Sequence, residues 1–234
     1  KAVATNFTGV VNILDAVVHT HNTHPEWSPK VCLISTDKAC DPINVYGMSK
    51  SLAEHAVQQY ASDFPGAATW LVVRYGNVLM SRGSIIPVLQ RLTQPEAHTK
   101  YLPLTHPDMT RFIMTLEESL CCIATALAHG KSGETIVPVL PSMYIRDLFT
   151  LFSIRSGIPV SVIGVVTGEK LAESLISTSE VVTRIIQDGH VALEQMSNVE
   201  CLEIPFDRSQ FISSTSPLMI KALETRLISE GILT

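Results

Sequence analysis

Two short apolar runs, each preceded by an amphipathic helical pattern, constrain the fold of this chain more than any other feature. Val31–Ile34 and Ala68–Tyr75 are rich in β-branched and apolar residues, which is typical of buried strands. Within Lys1–Val18 and Tyr46–Tyr60 the apolar residues recur at three- and four-residue spacing, which indicates helices. The order helix, strand, helix, strand with short connections predicts an α/β fold around a parallel sheet.

The remainder of the chain predicts shorter elements in a small C-terminal lobe, with no internal repeat and no distinct linker. The predicted helices are Ile85–Leu92, Thr115–Ala128, Ile145–Ser156, Gly168–Ile176 and Pro217–Leu227. The predicted strands are Thr135–Val139 and Val160–Val165. Loops rich in Pro, Thr and His separate these elements.

Composition and charge narrow the class of protein. Apolar residues make up 46% and charged residues 17% of the chain, which excludes a disordered polypeptide. The most apolar stretches, such as Val160–Val166 and Leu120–Leu127, fall short of the roughly 18–20 residues that a membrane span needs. The net charge of −5 without a cluster of Lys or Arg argues against nucleic acid and anionic membranes as partners.

The cysteine residues predict a cytoplasmic protein. They are Cys32, Cys40, Cys121, Cys122 and Cys201. Because they form no CxxC pair and share no ligand spacing with histidine, we interpret them as buried or incidental thiols. His19, His21 and His24 fall where the first helix is expected to run into a loop, so we interpret them as a solvated turn and predict no metal site.

Tyr46 and Lys50 lie four residues apart in the second predicted helix, so their side chains project from the same face. An ammonium group beside a phenol favours the phenolate, which can accept a proton from a sugar hydroxyl during hydride transfer. Ser35 and Thr36 end the preceding strand, where ligands of parallel sheets bind and where their hydroxyls can reach the same substrate oxygen. Without Ser35 and Thr36 at the end of the preceding strand, Tyr46 and Lys50 would be interpreted more simply as two side chains on a solvated helix face.

Seven motifs follow one another in the order and spacing of a known family. They are S-T-D-K-A at Ser35–Ala39, P-x-N-x-Y-G-x-S-K at Pro42–Lys50, R-Y-G-N-V at Arg74–Val78, S-R-G-S-I-I-P at Ser81–Pro87, M-T-R-F at Met109–Phe112, P-S-M-x-I-x-D-L at Pro141–Leu148 and G-E-K-L at Gly168–Leu171. Over roughly Thr5 to Ile176 the chain resembles the UDP-N-acetylglucosamine 4,6-dehydratases (5-inverting), the CapD-like polysaccharide biosynthesis family of extended short-chain dehydrogenases/reductases. The resemblance implies a Rossmann-like sheet, a UDP-sugar substrate and NADP that is tightly held and recycled, with NAD as the alternative.

The family reaction is a lyase reaction that oxidises the sugar at C4, eliminates water across C5–C6 and returns hydride to C6. The resemblance assigns the first step to Tyr46 and Lys50, which also bind the cofactor, together with Thr36. It assigns the elimination to Asp37 and Lys38 as an acid–base couple, with Lys38 also reprotonating C5 from the opposite face. The alternative for Asp37 and Lys38 is a surface charge pair on a loop.

Further residues are expected to bind the substrate and the cofactor. Arg82 and Arg111 can hold diphosphate oxygens bidentately, and Asn77 can donate an amide hydrogen bond to the substrate. The resemblance adds Glu169 of the G-E-K-L motif to the substrate-binding set. It also places Asn6 at the cofactor, with helix packing or capping as the alternative role.

The chain departs from the family in two respects. It contains no Gly-rich strand–turn–helix motif, so we expect this motif to precede Lys1 and the chain by itself to be a fragment that binds NADP(H) poorly. Val166 stands where the family usually has Arg, and Ala172 where it usually has His. We expect residues 1–80 to form the C-terminal part of the NADP-binding domain, with the catalytic residues, and residues 81–234 to form a substrate-binding lobe interleaved with the sheet.

Three functions remain open at this stage. The first is a nucleotide-sugar 4,6-dehydratase, which we expect to be a homo-oligomer at full length. The second is a nucleotide-sugar 4-epimerase, which shares Tyr46 and Lys50 but does not need the Asp37–Lys38 couple. The third is a degenerate, non-catalytic relative that binds a nucleotide sugar.

Overall fold

The computed structural model describes residues 1–186, 190–195 and 207–233, so Cys201 lies outside the described residues. The α-helices of the described residues are α1 (Gly9–Thr23), α2 (Val45–Asp63), α3 (Ile85–Leu92), α4 (Leu116–His129), α5 (Ile145–Ser156) and α6 (Ile220–Ser229). The strands are β1 (Lys30–Ile34), β2 (Thr69–Val73), β3 (Asn77–Val78), β4 (Leu102–Leu104), β5 (Thr110–Met114), β6 (Thr135–Val137), β7 (Ser142–Tyr144), β8 (Val160–Val162), β9 (Glu180–Ile185) and β10 (Val191–Gln195). A π-helical turn, Ala4–Thr8, leads into α1, and a 3₁₀ turn, Asp37–Ala39, follows β1.

The chain divides into two compact units, each built from three segments. The first unit comprises Lys1–Tyr75, Glu117–Val139 and Ser174–Phe211, and the second comprises Gly76–Leu116, Leu140–Glu173 and Ile212–Thr234. This division follows contacts and is discontinuous in sequence, whereas our division into residues 1–80 and 81–234 makes a single cut. The predicted domains therefore stay a prediction.

The first unit contains a five-stranded sheet with the order β1-β2-β6-β10-β9. The strands β1, β2 and β6 are parallel to their neighbours, and the predicted adjacent, parallel pairing of the first two strands is confirmed. The hairpin β9–β10 extends this sheet in the antiparallel direction, because β10 pairs with both β6 and β9. The α/β fold with a parallel sheet is confirmed, and the antiparallel hairpin is an addition that the sequence pattern did not predict.

Alternate residues of β2 pack on opposite faces of the sheet, as the period of two in a strand requires. Trp70 and Val72 are buried with Leu14 of α1 and Val57 of α2. Val73 is buried with Ala126 of α4 on the other face. A strand covered on both faces explains why this segment is a continuous apolar run.

The second unit contains two small sheets and three helices around its own core. One sheet has the order β3-β5-β7, and the other pairs β4 with β8 in parallel. Its core brings together Leu89 of α3, Leu148 of α5 and Leu223 of α6. No helix within the described ranges combines the length and apolar character needed to cross a membrane.

The predicted helix over Gly168–Ile176 is wrong. Gly168 adopts a left-handed backbone conformation with φ of 89°, and the segment continues as turns and bends. The carbonyl of Leu171 accepts a hydrogen bond at 2.8 Å from the backbone N–H of Thr110, at the start of β5. The backbone of this segment is therefore used for tertiary hydrogen bonds rather than for an internal helical ladder.

Candidate active site

A short turn after β1 carries three residues of the predicted catalytic set. Thr36 caps the 3₁₀ turn, and its hydroxyl oxygen accepts a hydrogen bond from the Lys38 N–H at 3.4 Å. The same hydroxyl donates to Asp37 Oδ1 at 2.9 Å. The Asp37 N–H donates to the Tyr75 carbonyl at 3.0 Å, which fixes this turn to the residues that follow β2.

Asp37 combines complete burial, an ion pair and an unused acceptor atom. Its side chain is 0% exposed, and Oδ1 lies 3.0 Å from the Lys38 ammonium, whose side chain is 27% exposed. Asp37 Oδ2 and the neighbouring Ser35 hydroxyl are buried and have no hydrogen-bond partner among the described residues. Because buried polar atoms without partners are costly, these two atoms indicate a place where a ligand supplies the missing hydrogen bonds.

Helix α2 places Tyr46 and Lys50 one turn apart. Tyr46 is 44% exposed, and its phenol makes no hydrogen bond to the described residues. Lys50 is half-buried, and its ammonium donates to the Ile34 carbonyl at the end of β1 at 2.9 Å. Burial lowers the pKa of Lys50, and the Glu54 carboxylate one turn further along α2 opposes that effect. The predicted convergence of the Tyr46 phenol with the Thr36 hydroxyl stays a prediction.

The start of α2 lies in close contact with the turn that carries Asp37 and Lys38. The Asn44 side chain caps the helix by accepting a hydrogen bond from the Gly47 N–H at 2.8 Å. A Cβ atom at Gly47 would lie 2.2 Å from the Lys38 carbonyl oxygen, which is far inside van der Waals contact. Glycine at this position therefore allows the helix with Tyr46 and the turn with Lys38 to approach each other.

Asn6 contacts helix α2 through Ser49. The Asn6 amide, in the π-helical turn, donates to the Ser49 hydroxyl at 3.1 Å, and this hydroxyl donates to the Tyr46 carbonyl at 2.8 Å. The Ser49 side chain is buried. Asn6 is thus tied to the turn of α2 between Tyr46 and Lys50, which corresponds to the packing role considered as its alternative.

Sequence reasoning missed a buried ion-pair group behind α2, which we name the Arg74 cluster: Glu54, Arg74 and Glu180. All three side chains are at most 3% exposed. Arg74 donates to both carboxylates and also to the Leu175 carbonyl. Glu54 could have been noticed from its position four residues after Lys50, but Glu180 lies 106 residues from Arg74 and carries no comparable signal.

The four residues predicted to bind substrate belong to the second unit. Arg82 and Glu169 are exposed, and Asn77 is half-buried in β3. Arg111 is 7% exposed and donates to the carbonyls of Thr110 at 2.7 Å and Leu171 at 3.4 Å. Arg82 is therefore a solvent-accessible guanidinium, whereas Arg111 is used inside the unit.

Arg111 also belongs to a second buried ion-pair group, which we name the Glu173 cluster: Arg111, Lys170 and Glu173. Glu173 is 3% exposed, and its carboxylate lies 3.9 Å from Arg111 Nε and 3.5 Å from Lys170 Nζ. The Glu173 carboxylate offsets the charge of both cations, so none of the three is an isolated buried charge.

The described cysteines differ in burial, and the Cys40 thiol lies within the electrostatic influence of Arg74 and Glu180. Cys40 and Cys122 are buried, Cys32 is half-buried and Cys121 is exposed. Burial raises the pKa of the Cys40 thiol to about 12, which leaves it unreactive at neutral pH. Helix α1 continues through His19 and His21 to Thr23, so the predicted solvated turn is shorter than expected. Within the described part of the chain, no three His, Cys, Asp or Glu residues are arranged to hold a metal ion.

Comparison with known proteins finds a matching family and relatives that are nucleotide-sugar enzymes. A family model described as "Polysaccharide biosynthesis protein" matches residues 1–195. The chain is 37% identical over 186 residues to the UDP-glucose 4-epimerase of Rickettsia conorii, covering 77% of this chain and 51% of that protein. It is 36% identical over 183 residues to the inverting UDP-N-acetylglucosamine 4,6-dehydratase of Campylobacter jejuni, with the same two coverages. The chain thus spans about half the length of the curated relatives it matches.

Solved structures share the fold at low sequence identity. Pen from Bacillus thuringiensis superposes with a TM-score of 0.82 at 24% identity, covering 98% of this chain and 68% of that one. The dTDP-glucose 4,6-dehydratase DesIV of Streptomyces venezuelae, solved with NAD and TYD bound, gives 0.61 at 19% identity, covering 72% and 56%. RMD of Pseudomonas aeruginosa, complexed with NADPH, gives 0.52 at 19% identity, covering 69% and 62%.

Proposed function

The chain belongs to the polysaccharide biosynthesis protein family, and from that premise we propose that it is the substrate-converting part of a UDP-N-acetylglucosamine 4,6-dehydratase. The resemblance drawn from the seven sequence motifs is confirmed by the family match and by the dehydratase relative. Relatives include both dehydratases and epimerases that act on nucleotide sugars, so the choice between these reactions depends on the site itself.

One observation carries the choice of a dehydratase: Asp37 and Lys38 form an ion-paired couple with an unused carboxylate oxygen at the end of β1. Elimination of water needs a base for the C5 proton and an acid for the departing 6-hydroxyl, whereas epimerisation at C4 needs neither. The burial of Asp37, with its hydrogen bond from Thr36, argues against the alternative of a solvated surface charge pair.

In the proposed reaction the residues of this chain move protons at three places. Tyr46 accepts the proton of the 4-hydroxyl, and the ammonium of Lys50 stabilises the phenolate. With C4 as a ketone, the Asp37 carboxylate accepts the acidified C5 proton while the Lys38 ammonium protonates the 6-hydroxyl, which leaves as water. Asp37 then passes its proton to the adjacent Lys38 amine, and the proton that Tyr46 took from the 4-hydroxyl balances the one lost with water. Lys38 then returns a proton to C5 from the opposite face, and the product is a 4-keto-6-deoxy sugar.

The residues around α2 fit a nicotinamide cofactor. Lys50 uses one ammonium N–H on the Ile34 carbonyl and keeps two for the hydroxyls of a ribose, and the Tyr46 phenol is exposed beside it. When bound, NADP or NAD accepts hydride from C4 and returns it to C6. Asn6, which we predict to lie at the cofactor, also supports this part of the site through Ser49.

The proposal assigns substrate binding to the second unit. Arg82 is the exposed guanidinium for the diphosphate, with Asn77 and Glu169 as further polar contacts. Arg111 keeps a place in this set, although its burial limits it to ordering the backbone around Leu171. For the whole protein we include a cytoplasmic location and a homo-oligomeric state in the proposal, supported by the absence of CxxC pairs for the first and by family resemblance for the second.

The decisive experiment uses the protein as its gene encodes it, with any residues that precede Lys1. We expect UDP-N-acetylglucosamine to be converted to the 4-keto-6-deoxy sugar without net consumption of cofactor. Lys38→Ala should allow oxidation of the sugar at C4 but block the elimination of water. Reduced cofactor should therefore accumulate, which is measured by its absorbance at 340 nm. Tyr46→Phe should prevent the appearance of reduced cofactor and slow turnover by about 10²–10⁴-fold.

The second candidate is a UDP-sugar 4-epimerase, favoured by the 37% identity to the Rickettsia enzyme. Under this alternative the protein interconverts C4 epimers, releases no water and tolerates Lys38→Ala. If neither product nor reduced cofactor forms, the chain is a non-catalytic relative, and Val166, which is 54% exposed, is the first residue to replace by arginine.

A further inference from the structure

The Arg74 cluster uses every donor that an arginine has. Nε donates to Glu54 at 3.2 Å, Nη2 donates to both Glu54 and Glu180, and Nη1 donates to Glu180 at 2.8 Å and to the Leu175 carbonyl at 2.9 Å. These five bonds match the five N–H groups of a guanidinium. A lysine could not reproduce them, because an ammonium has three donors and no planar fork.

The three charged residues of the cluster come from three different elements of the first unit. Glu54 belongs to α2, Arg74 directly follows β2 and Glu180 begins β9. The Arg74 backbone N–H donates to the Ile136 carbonyl of β6, and Glu180 also accepts from the Ser177 N–H at 2.8 Å. The cluster therefore joins the catalytic helix, the centre of the sheet and the hairpin at a single buried guanidinium.

The position of Glu54 on α2 connects this cluster with the candidate catalytic residues. Tyr46, Lys50 and Glu54 follow one another at intervals of four residues, so each is turned by about 40° from the last. Their exposure falls in the same order, from 44% at Tyr46 through the half-buried Lys50 to 2% at Glu54. Fixing Glu54 therefore fixes the rotation and the axial position of the helix face that carries the other two.

We propose that the Arg74 cluster is a positioning device for the catalytic helix, and that the hairpin β9–β10 supports the active site through Glu180. The expected effect on turnover rests on the proposed function, whereas the expected effect on the order of α2 does not. Arg74, Glu54 and Glu180 are positioning residues, since they act through Tyr46 and Lys50. Two carboxylates share one guanidinium, so the loss of Glu180 leaves a neutral Glu54–Arg74 pair rather than an unpaired charge.

The same hairpin offers a matched control. Arg184 of β9 donates to Glu134 through Nε at 2.6 Å and Nη2 at 2.5 Å, and Glu134 is 2% exposed. This pair is also a buried carboxylate held by a bidentate arginine, and it bonds to the His129 carbonyl and the Lys131 N–H. Glu134 directly precedes β6, so Glu134→Gln removes the buried carboxylate partner of a hairpin arginine at a position outside the Arg74 cluster.

The test compares Glu180→Gln with Glu134→Gln in the protein as its gene encodes it. Hydrogen exchange is measured by mass spectrometry for residues 45–52 of α2, and turnover of UDP-N-acetylglucosamine is measured in parallel. We expect Glu180→Gln to increase exchange over 45–52 by about tenfold and to lower kcat by about 10–100-fold with KM changed less than twofold, because small displacements of reacting groups have effects of this size. Glu134→Gln should leave both within twofold of wild type.

The outcomes separate the two proposals. If the two variants behave alike in exchange and in kcat, the positioning role is overturned and the Arg74 cluster is a general stabilising ion pair. If wild-type protein does not turn over the sugar, the proposed function fails, while the exchange comparison still decides the positioning role. If Glu180→Gln does not fold, Glu180→Asp, which keeps the charge and shortens the reach, should show the same localised increase in exchange, and a uniform increase across the first unit would overturn the inference.

Discussion

Asp37 in the first unit and Glu173 in the second are both almost fully buried carboxylates beside a lysine, yet they are arranged for different purposes. Asp37 pairs with Lys38 through one oxygen, and its other oxygen has no hydrogen-bond partner among the described residues. Glu173 lies between Lys170 and Arg111, so two cations share its charge. Glu173 Oε2 lies 3.5 Å from Lys170 Nζ and, like Asp37 Oδ2, makes no hydrogen bond to the described residues, so the number of cations distinguishes the two carboxylates: Asp37 faces one and Glu173 faces two.

The partners of the two carboxylates also differ in their distance along the chain. Asp37 contacts its immediate neighbours Thr36 and Lys38, so its surroundings can be predicted from a short motif. Arg111 bonds to Leu171, which lies 60 residues away. The surroundings of Asp37 are therefore encoded locally, whereas Glu173 combines a local partner, Lys170, with the distant Arg111. The Arg74 cluster of the first unit likewise depends on the tertiary fold.

The largest effect that would sharpen this contrast is expected from Gly47→Ala. The added Cβ would lie 2.2 Å from the Lys38 carbonyl, so the turn with Asp37 and Lys38 must move away from α2. A shift of about 1 Å in reacting groups costs on the order of 10²-fold in rate, and overpacking of this kind costs about 1–3 kcal/mol in the free energy of unfolding. Turnover of the UDP-sugar and denaturant unfolding measure the two quantities.

Gly9→Ala is the matched control for that substitution. Gly9 is also helical, but a Cβ there would meet its nearest neighbour at an ordinary 3.6 Å. Alanine should therefore raise the free energy of unfolding by about 0.5–1 kcal/mol and leave turnover unchanged. Equal activity of the Gly47→Ala and Gly9→Ala proteins would show that the contact between α2 and the turn has no role in positioning the site.

The next largest effect distinguishes the two candidate arginines of the second unit. Arg111→Ala removes a buried guanidinium that donates to the carbonyls of Thr110 and Leu171, and should lower the free energy of unfolding by about 1–3 kcal/mol, with Glu173 still paired with Lys170. Arg82→Ala, at an exposed position, should change it by less than about 0.5 kcal/mol but raise KM for the UDP-sugar about tenfold, since a charge-assisted hydrogen bond is lost. Unfolding curves and steady-state kinetics on both variants check the split, and a destabilised Arg82→Ala protein with unchanged KM would reverse these roles.

How much of the fold could be predicted from the sequence depends on whether a contact is local or distant along the chain. The order of the first helices and strands was predicted correctly because their spacing is local and periodic, whereas the roles of the residues from Ser35 to Lys50 stay a prediction. The hairpin β9–β10 was missed, and so was the pairing of Arg74 with Glu180, since a contact across 106 residues leaves no mark in either segment alone. The predicted helix over Gly168–Ile176 was wrong because the backbone of this segment makes tertiary hydrogen bonds instead of helical ones.

Acid should affect the two units with opposite sign. Burial disfavours the charge of Glu180, but the Arg74 guanidinium and Ser177 outweigh it and hold the pKa of Glu180 below its ordinary value. Burial raises the pKa of Asp147, with Arg146 opposing it. A carboxyl with a lowered folded pKa contributes stability above its unfolded pKa and loses it as pH falls through the folded value, whereas one with a raised folded pKa gains stability as pH falls through that value.

Unfolding free energies between pH 7 and pH 3 test this difference. The stability advantage of wild type over Glu180→Gln should shrink below the ordinary glutamate pKa of about 4.3, with a slope of at most about 1.4 kcal/mol per pH unit. Wild type should be less stable to unfolding than Asp147→Asn at neutral pH. As the pH falls, this difference should shrink over a higher pH range than for Glu180, beginning above the ordinary aspartate pKa of about 3.9. Parallel pH curves for wild type and both variants would contradict the assignment.

The smallest predicted effect concerns backbone strain in the loops beside the two sites. Asp41, after the catalytic turn, has φ of 45°, and Met80, before Arg82, has φ of 60°. A left-handed conformation costs roughly 1–2 kcal/mol for most side chains but less for aspartate, and glycine at the same position loses about 0.5–1 kcal/mol of chain entropy. Met80→Gly should therefore raise the free energy of unfolding by about 0.5 kcal/mol, Met80→Ala should give no gain, and Asp41→Gly should stay closer to zero. Denaturant unfolding followed by circular dichroism resolves differences of this size when all variants are fitted with the same dependence of unfolding free energy on denaturant concentration. A larger gain at Asp41 than at Met80 would mean that the locally encoded site carries the greater strain, because its loop must hold Asp37 and Lys38 in place against the start of α2.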